Sequence, residues 1–508
     1  MTYRTQSKAV AVSMVVALLC AAVPVSAADP RQGHHAVSSL LEQATVAART
    51  MTEDAYLRNT ALRGIAGAQA ESGGFEAALK TAALIGDAYL QTGAWRQIAV
   101  AQARAGHRAE AGTLIKKVLE TAATLKHVPL LQVDALIATA DAQARIGDVP
   151  GALTTAASVG NPRGKDEALR NIALAQANNG DVTGALNSAG TIADETMKAQ
   201  ALRGITEFYA KQGDRDGALR IVAAIRDPYV KAGALRAIAI APAMLKDRAI
   251  ALDILKQALE SAGTIQGENE KADALGGITM ALLAAGDVSG ALKAAALIEQ
   301  AGVGTPRPNI AVGTRSEVLR AIAIAHAQAG DSPRAFQTVG SIAIPYMRAS
   351  ALAGIAAAQV ERGDQVAAGE TLRKAMQVAS AILELTAKVP ALMGIAQVYA
   401  TVGDRAAAVR TFGKARQAIR VIEDDRYHTD ALMDLAMVQS GAGDFSGAVD
   451  SADGIRDLYA RAHAWRVIAA AQGEHREQVF SWIAKDGEAV KKAYALLGLA
   501  EGLLQRTR

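Results

Sequence analysis

The chain has 508 residues, of which 51% are hydrophobic but only 4% aromatic, and its formal net charge is +4. With charge this small and no basic arm or tail, nothing points to nucleic acid as a partner. A single cysteine excludes a disulfide framework, and the apolar content is too high for a disordered chain.

In chain order, residues 1–27 read as a secretory signal peptide. Arg4 and Lys8 give a basic start, Ala9 to Val23 is apolar, and Val25-Ser26-Ala27 is a small-residue cleavage site. The apolar run falls short of the ~20 residues that span a bilayer, so an anchor is disfavoured. No later stretch could span one. Cys20 leaves with the leader, so the mature chain carries no cysteine. A periplasmic or secreted location is expected. Residues 28–50 read as a polar linker, Asp29 to His35, followed by a lone helix, Val37 to Arg49, that caps the array.

From 51 to 508 the chain repeats one pattern: a helix, a Gly-Asp corner, a second helix. The corners are Gly73, Gly106, Gly147, Gly180, Gly213, Lys246, Gly286, Gly330, Gly363, Gly403, Gly443 and Arg476, with a base period of 33 residues and some units lengthened to about 40. Seven added residues make about two helical turns, so the faces stay nearly in phase. Eleven residues before each corner stands Leu or Trp (Leu62, Trp95, Leu169, Trp465), eight before stands Ile in most units (Ile65, Ile172, Ile205), with Leu435 in one and Thr139 the exception, and seven before is nearly always Ala. Five after the corner is Ala in every unit but the last, which has Ser481. Large residues between small ones let paired backbones approach closely. Helix pairs that cannot bury a face alone must stack, so about twelve of them predict an all-α solenoid.

These columns resemble the tetratricopeptide repeat. Trp95 and Trp465 stand where that family has its Trp, and Tyr209 and Tyr399 where it has its Tyr. The match runs from about Leu62 to the C-terminus. It departs in having Gln in the Tyr column of most units (Gln69, Gln102, Gln143, Gln176, Gln359, Gln439, Gln472) and in usually lacking the closing Pro. The resemblance implies a right-handed superhelix that binds a protein or peptide on its concave face.

Three local departures stand out. Pro242 falls inside a first helix, in the unit that lost its corner Gly, so a kink is expected. Residues 301–308, Ala-Gly-Val-Gly-Thr-Pro-Arg-Pro, cannot be helix and are expected to form a surface loop, a hinge between halves. Residues 491–508 read as one last first-type helix with a polar end, a C-terminal cap.

No catalytic constellation is present. Gly160 to Asp166 has the look of a phosphate loop, but its glycines are one residue too close and Asp166 stands where Ser or Thr should meet magnesium. An inter-unit turn is the better reading. No CxxC, HExxH or paired-His spacing occurs, so neither metal nor cofactor is expected. His326 in the Gln column reads as a satisfied inter-helix residue, and Glu423-Asp424-Asp425 as junction capping. The recurring Tyr89, Tyr229, Tyr346, Tyr427 and Tyr459 read as wedges between units. The basic second helices (Lys116-Lys117, Lys256, Arg373-Lys374, Lys414, Arg416, Arg420) read as a solvated outer face, with a ridge for an anionic surface as the other reading.

Ten residues before the corner, Arg recurs: Arg63, Arg96, Arg170, Arg203, Arg236, Arg320 and Arg466. Each follows the buried Leu or Trp, so it must point away from that packing. The resemblance places this column on the concave face, as a ladder suited to carboxylates and other oxyanions. Pairing within the scaffold, with Glu167, Asp134 or Glu207, is the other reading. The function expected is therefore a non-enzymatic exported scaffold with a protein or peptide partner, an acidic one if the ladder binds it. Service in envelope polysaccharide assembly or secretion is the alternative. An all-helical glycan-cleaving enzyme would need two facing carboxylates, and the array leaves no room for a separate catalytic domain.

Overall fold

The computed structural model describes residues 30–301 apart from 53, then 309–472, 476–485 and 488–506. The leader 1–27 and the segment 302–308 lie outside the described residues. Every element among those residues is an α-helix, save one 3-10 turn, Leu125–His127. The architecture is the all-α repeat of the solenoid class.

The helices gather into two compact units. Unit 1 comprises the two ends of the chain, residues 1–94 and 399–508, and unit 2 comprises residues 95–398. In unit 2 first and second helices alternate: Pro129–Ile146 with Val149–Ala157, Pro162–Asn178 with Val182–Gly190, Glu195–Lys211 with Arg215–Ala223, Pro345–Glu361 with Gln365–Ser380. The first helices Pro129–Ile146, Pro162–Asn178 and Glu195–Lys211 each pack on their own second helix and on the first helix of the next pair. The Ile column supplies the centre of that packing: Ile172, Ile205 and Ile238 are wholly buried. Burying one such side chain is worth roughly 1.5–3 kcal/mol.

The corner is a left-handed cap. All ten corner glycines have positive φ, Gly180 at 86° among them, a conformation that glycine adopts without steric cost. The next residue then caps the second helix. Asp181 Oδ1 accepts from the Gly184 backbone N–H at 2.9 Å, and Asp148, Asp214, Asp404 and Asp444 do the same in their units.

The Gln column completes this corner. Gln176 Nε2 donates to Asp181 Oδ2 at 3.0 Å, and its Oε1 accepts from Ser188 Oγ at 2.6 Å. Gln143 serves Asp148 and Thr155 in the same way, and Gln439 serves Asp444 and Ser451. A buried amide thus braces the cap of the second helix and receives that helix's hydroxyl. Gly184 is needed beneath it, because a Cβ there would run into Asp181 and Gln176.

Pro242 does more than kink its helix. Pro228–Ala239 ends, Ala241 turns extended at φ −62° and ψ 139°, and a single turn Pro242–Leu245 restarts with proline in its opening position. Lacking an N–H, Pro242 cannot continue the ladder but can begin a new turn. Asp247 still caps the second helix, Arg248–Gly263, without the corner glycine. A further proline, Pro390, sits inside Leu385–Thr401.

In unit 1 the N-terminal helix runs Pro30–Arg49, so it begins ahead of Val37 and takes in the stretch read as linker. The C-terminal helix Ala489–Arg506 packs on Pro30–Arg49, on Ala55–Glu71 and on Leu458–Ala471. Val490, Ala493, Tyr494, Leu497 and Leu499 on it are all buried.

Candidate partner-binding face

The arginine column is set by helical geometry. Its neighbour toward the N-terminus (Leu169, Leu202, Leu235) is buried, and a residue one step on is rotated about 100° from it. The guanidinium therefore leaves its own helix pair and reaches the first helix of the next one. Arg96 Nη1 donates to the Ala135 carbonyl at 3.2 Å. Arg170 Nη1 donates to Gln200 Oε1 at 3.1 Å, with Glu167 at 3.7 Å. Arg203 lies against Gly233, and Arg236 covers Gly277.

Tyr229 lies in the electrostatic field of both Arg203 and Arg236. That phenol donates to Asp273 Oδ2 at 2.7 Å. Burial foremost, and the Asp273 carboxylate after it, holds its pKa well above the ordinary tyrosine value, against the opposing pull of Arg203 and Arg236. At Tyr346 burial foremost, and Glu317 after it, raise the phenol's pKa, and Arg320 opposes them. Tyr229 thus stands seven residues ahead of Arg236 on its own helix, and Tyr346 seven ahead of Ala353, which fills the arginine column in its unit.

The rungs are not equivalent. Arg203 Nε lies 3.2 Å from Glu207 Oε1 and keeps 44% of its side chain exposed. Arg466, in unit 1, is bound bidentately by Glu501 at 2.7 and 2.5 Å. Arg63, also in unit 1, lies in the electrostatic field of Tyr494. Arg63, Arg236 and Arg320 hold no hydrogen bond or ion pair among the described residues. Scaffold contacts therefore account for Arg96, Arg170, Arg203 and Arg466, but not for these three.

Tyr229–Asp273 and the Gln200 contact are not evident from the arginine column alone. The sequence signal for them is the spacing of i, i+4 and i+7 on one first helix, which puts Tyr229, Gly233 and Arg236 on a shared stripe.

Other features read from sequence find structural partners. Asn161 Oδ1 accepts from Gly164 N at 2.6 Å and opens the helix Pro162–Asn178. Asp166, buried, accepts from the backbone N–H groups of Ala193 and Asp194 at 3.1 and 2.9 Å. The glycine-rich segment is an inter-unit joint. Among the basic second-helix residues, Lys117 lies over the Trp95 ring at 4.2 Å, Lys374 over Phe336 at 5.0 Å, and Arg416 pairs with Asp450. Asp424 caps Tyr427 N, and Asp425 pairs with Arg456. His326 is buried. A shallow depression between Arg215–Ala223 and Arg248–Gly263 is lined by Arg215, Leu219, Ala249, Ile250, Asp253 and Ile254. Among the described residues no group of three or more His, Cys, Asp or Glu is placed to hold a metal ion, and no helix is long and apolar enough to cross a membrane.

No family model matches the sequence, and no curated protein matches it. Among solved structures, the chain is similar to Ton1535 from Thermococcus onnurineus NA1, at 16% identity over 65% of this chain and 99% of that one, with a TM-score of 0.29. It is also similar to a chain of the APC/C hetero-tetramer Cut9-Hcn1, at 13% identity over 92% and 98%, with a TM-score of 0.23. A circular tandem repeat protein with novel repeat topology matches at 11% identity over 94% and 97%, with a TM-score of 0.19.

Proposed function

We propose that this chain is a non-enzymatic, tetratricopeptide-like scaffold that binds a protein or peptide partner bearing carboxylates. The binding surface is the first-helix face of unit 2, with Arg96, Arg170, Arg203, Arg236 and Arg320 as its rungs. The observation that carries the proposal is that Arg203 keeps 44% of its side chain exposed while Arg236 and Arg320 hold no hydrogen bond or ion pair among the described residues. A guanidinium fork matches a carboxylate in two parallel hydrogen bonds, and several weak contacts along one face add by effective concentration. Arg63 and Arg466 stand in unit 1, and Arg466 would have to exchange Glu501 for a partner's carboxylate.

Sugar stacking, which envelope polysaccharide service would call on, has less to support it. The exposed aromatic rings among the described residues are Tyr56, Tyr229 and Tyr459. Tyr56 and Tyr459 lie against each other at 5.9 Å, and Tyr229 is bonded to Asp273. Export rests on the basic start, apolar run and Val25-Ser26-Ala27 of the leader. N-terminal sequencing of the processed protein should begin at Ala28.

The test is a crosslinking capture from the host envelope fraction. Mature protein is run beside a variant with Arg170, Arg203 and Arg236 changed to Glu. Capture lost in the variant, with helicity unchanged by circular dichroism, supports the face. Equal capture by both removes it as the site.

A further inference from the structure

We infer that the N-terminal and C-terminal helices are the two halves of one split repeat, closed without a covalent bond inside unit 1. The register of buried residues carries this. In a lengthened unit the second helix and the residues just after it bury Ala251, Ile254, Leu255, Ala258, Ala262 and Ile265, at offsets of 5, 8, 9, 12, 16 and 19 from the corner at Lys246. The N-terminal helix and the residues just after it bury Val37, Leu40, Leu41, Ala44, Ala48 and Met51, which is the same spacing. Pro30–Arg49 is therefore a second helix without a first.

The C-terminal helix is the missing half. Leu496, Leu499 and Ala500 are spaced as Trp465, Ile468 and Ala469 are in the preceding unit, and all six are buried. The helix packs on Leu458–Ala471 before it, on Ala55–Glu71 after it, and on Pro30–Arg49 as its own second helix. Those are the three neighbours an internal first helix has. In the arginine column this half-unit carries Leu497, which lies against Gly64 of the first full unit.

One hydrogen bond crosses the closure, and two further contacts fix the C-terminal helix on the unit before it. Tyr494 Oη donates to the Leu57 carbonyl at 3.1 Å, across 437 residues of sequence. Lys491, buried, lies 5.2 and 5.1 Å from the ring centres of Trp465 and Trp482 and 3.8 Å from Asp453 Oδ2; a cation over two indole faces is held by both. Gly498 and Gly502 let the helix backbone meet the carbonyls of Arg466 and Ala470 where no Cβ would fit. Neither Pro30–Arg49 nor Ala489–Arg506 is then a solvated cap. Losing either one uncovers the apolar columns of the other, and the unit completes only when both have been synthesised.

Hydrogen exchange on the intact chain, wild type and Gly498→Val, tests this. In the wild type, amides of residues 30–49 should be as protected as those of 458–471. In the variant they should lose protection together with 489–506, while residues 162–211 keep theirs. Free exchange of 30–49 in the wild type overturns the split repeat. So does protection of 30–49 that survives when 489–506 has lost its own. Should Gly498→Val fail to fold, donor and acceptor dyes at Val46→Cys and Gln505→Cys, both exposed positions, in a Cys20→Ser chain give the second readout. High energy transfer in the monomer is expected. Low transfer in a folded monomer, or transfer that appears only between singly labelled copies, overturns closure within one chain.

Discussion

Substituting one buried glutamine by leucine should have opposite consequences in two copies of the same unit. In Gln176 both amide atoms are used: Nε2 on Asp181 and Oε1 on Ser188 Oγ, with Gln176 3% exposed and Ser188 6% exposed. Gln176→Leu removes a hydrogen bond to a carboxylate, worth about 1.5–3 kcal/mol, and a neutral one worth about 0.5–1.5 kcal/mol, and it strands a buried hydroxyl. Leucine's extra apolar burial returns about 1–2 kcal/mol. The net loss should be about 1–3 kcal/mol, confined to Pro162–Asn178 and Val182–Gly190. Gln359 occupies the same column and is equally buried, yet its Oε1 meets no donor among the described residues. Gln359→Leu removes an unpaid desolvation penalty and should be neutral or stabilising by about 1 kcal/mol. Because repeat arrays unfold unit by unit, local opening free energies from hydrogen exchange are the right assay, in residues 162–190 and 345–380. Equal destabilisation by the two substitutions would refute the reasoning, since it would make the column's role packing alone.

Asp166→Ala should cost about 2–4 kcal/mol, because the carboxylate alone satisfies the N–H groups of Ala193 and Asp194; faster proteolysis at residues 191–194 is the readout. Gly180→Ala should cost about 1 kcal/mol, since φ there is 86° and a Cβ is strained in that conformation; chemical denaturation followed by ellipticity reports it. Burial, and the nearby Tyr459 after it, raises the Tyr494 pKa above the ordinary 10.0. Above pH 10 the unfolded chain loses this proton while the folded one keeps it. The stabilisation is thus complete below pH 10 and falls as pH rises, by about 1.4 kcal/mol per unit. Tyr494→Phe should lack that component, so the stability gap between wild type and variant should shrink from pH 9 to pH 11.

Repetition made the fold legible. A corner glycine, its following Asp, and Ile and Ala at fixed offsets recur often enough that any one copy is corrected by the rest, and the structure places all ten corner glycines in the left-handed region. Features without a second copy read less well. Pro242 was expected to bend a helix, and instead ends it, because a one-turn restart satisfies proline better than a strained ladder does. The Gln column was visible as a departure from tyrosine, but its purpose depends on a hydroxyl on the next helix that local periodicity does not pair with it. Val37 to Arg49 reads as a lone helix because the helix it packs on, Ala489–Arg506, lies at the far end of the sequence. The arginine column is likewise plain in sequence, whereas Gln200, which meets Arg170, and Asp273, which meets Tyr229, come from adjoining units and appear only once those units are stacked.

The central claim is that the first-helix face of unit 2 binds carboxylates presented by a peptide. The most direct measurement is fluorescence anisotropy of a labelled peptide carrying a run of Glu and Asp, titrated with the mature chain at low and high salt. The wild type should bind, more weakly as salt rises. The double variant Arg203→Glu, Arg236→Glu should lose at least about tenfold in affinity, ~1.4 kcal/mol, with its ellipticity unchanged. Equal binding by wild type and folded variant, or no binding by the wild type at low salt, would contradict the claim.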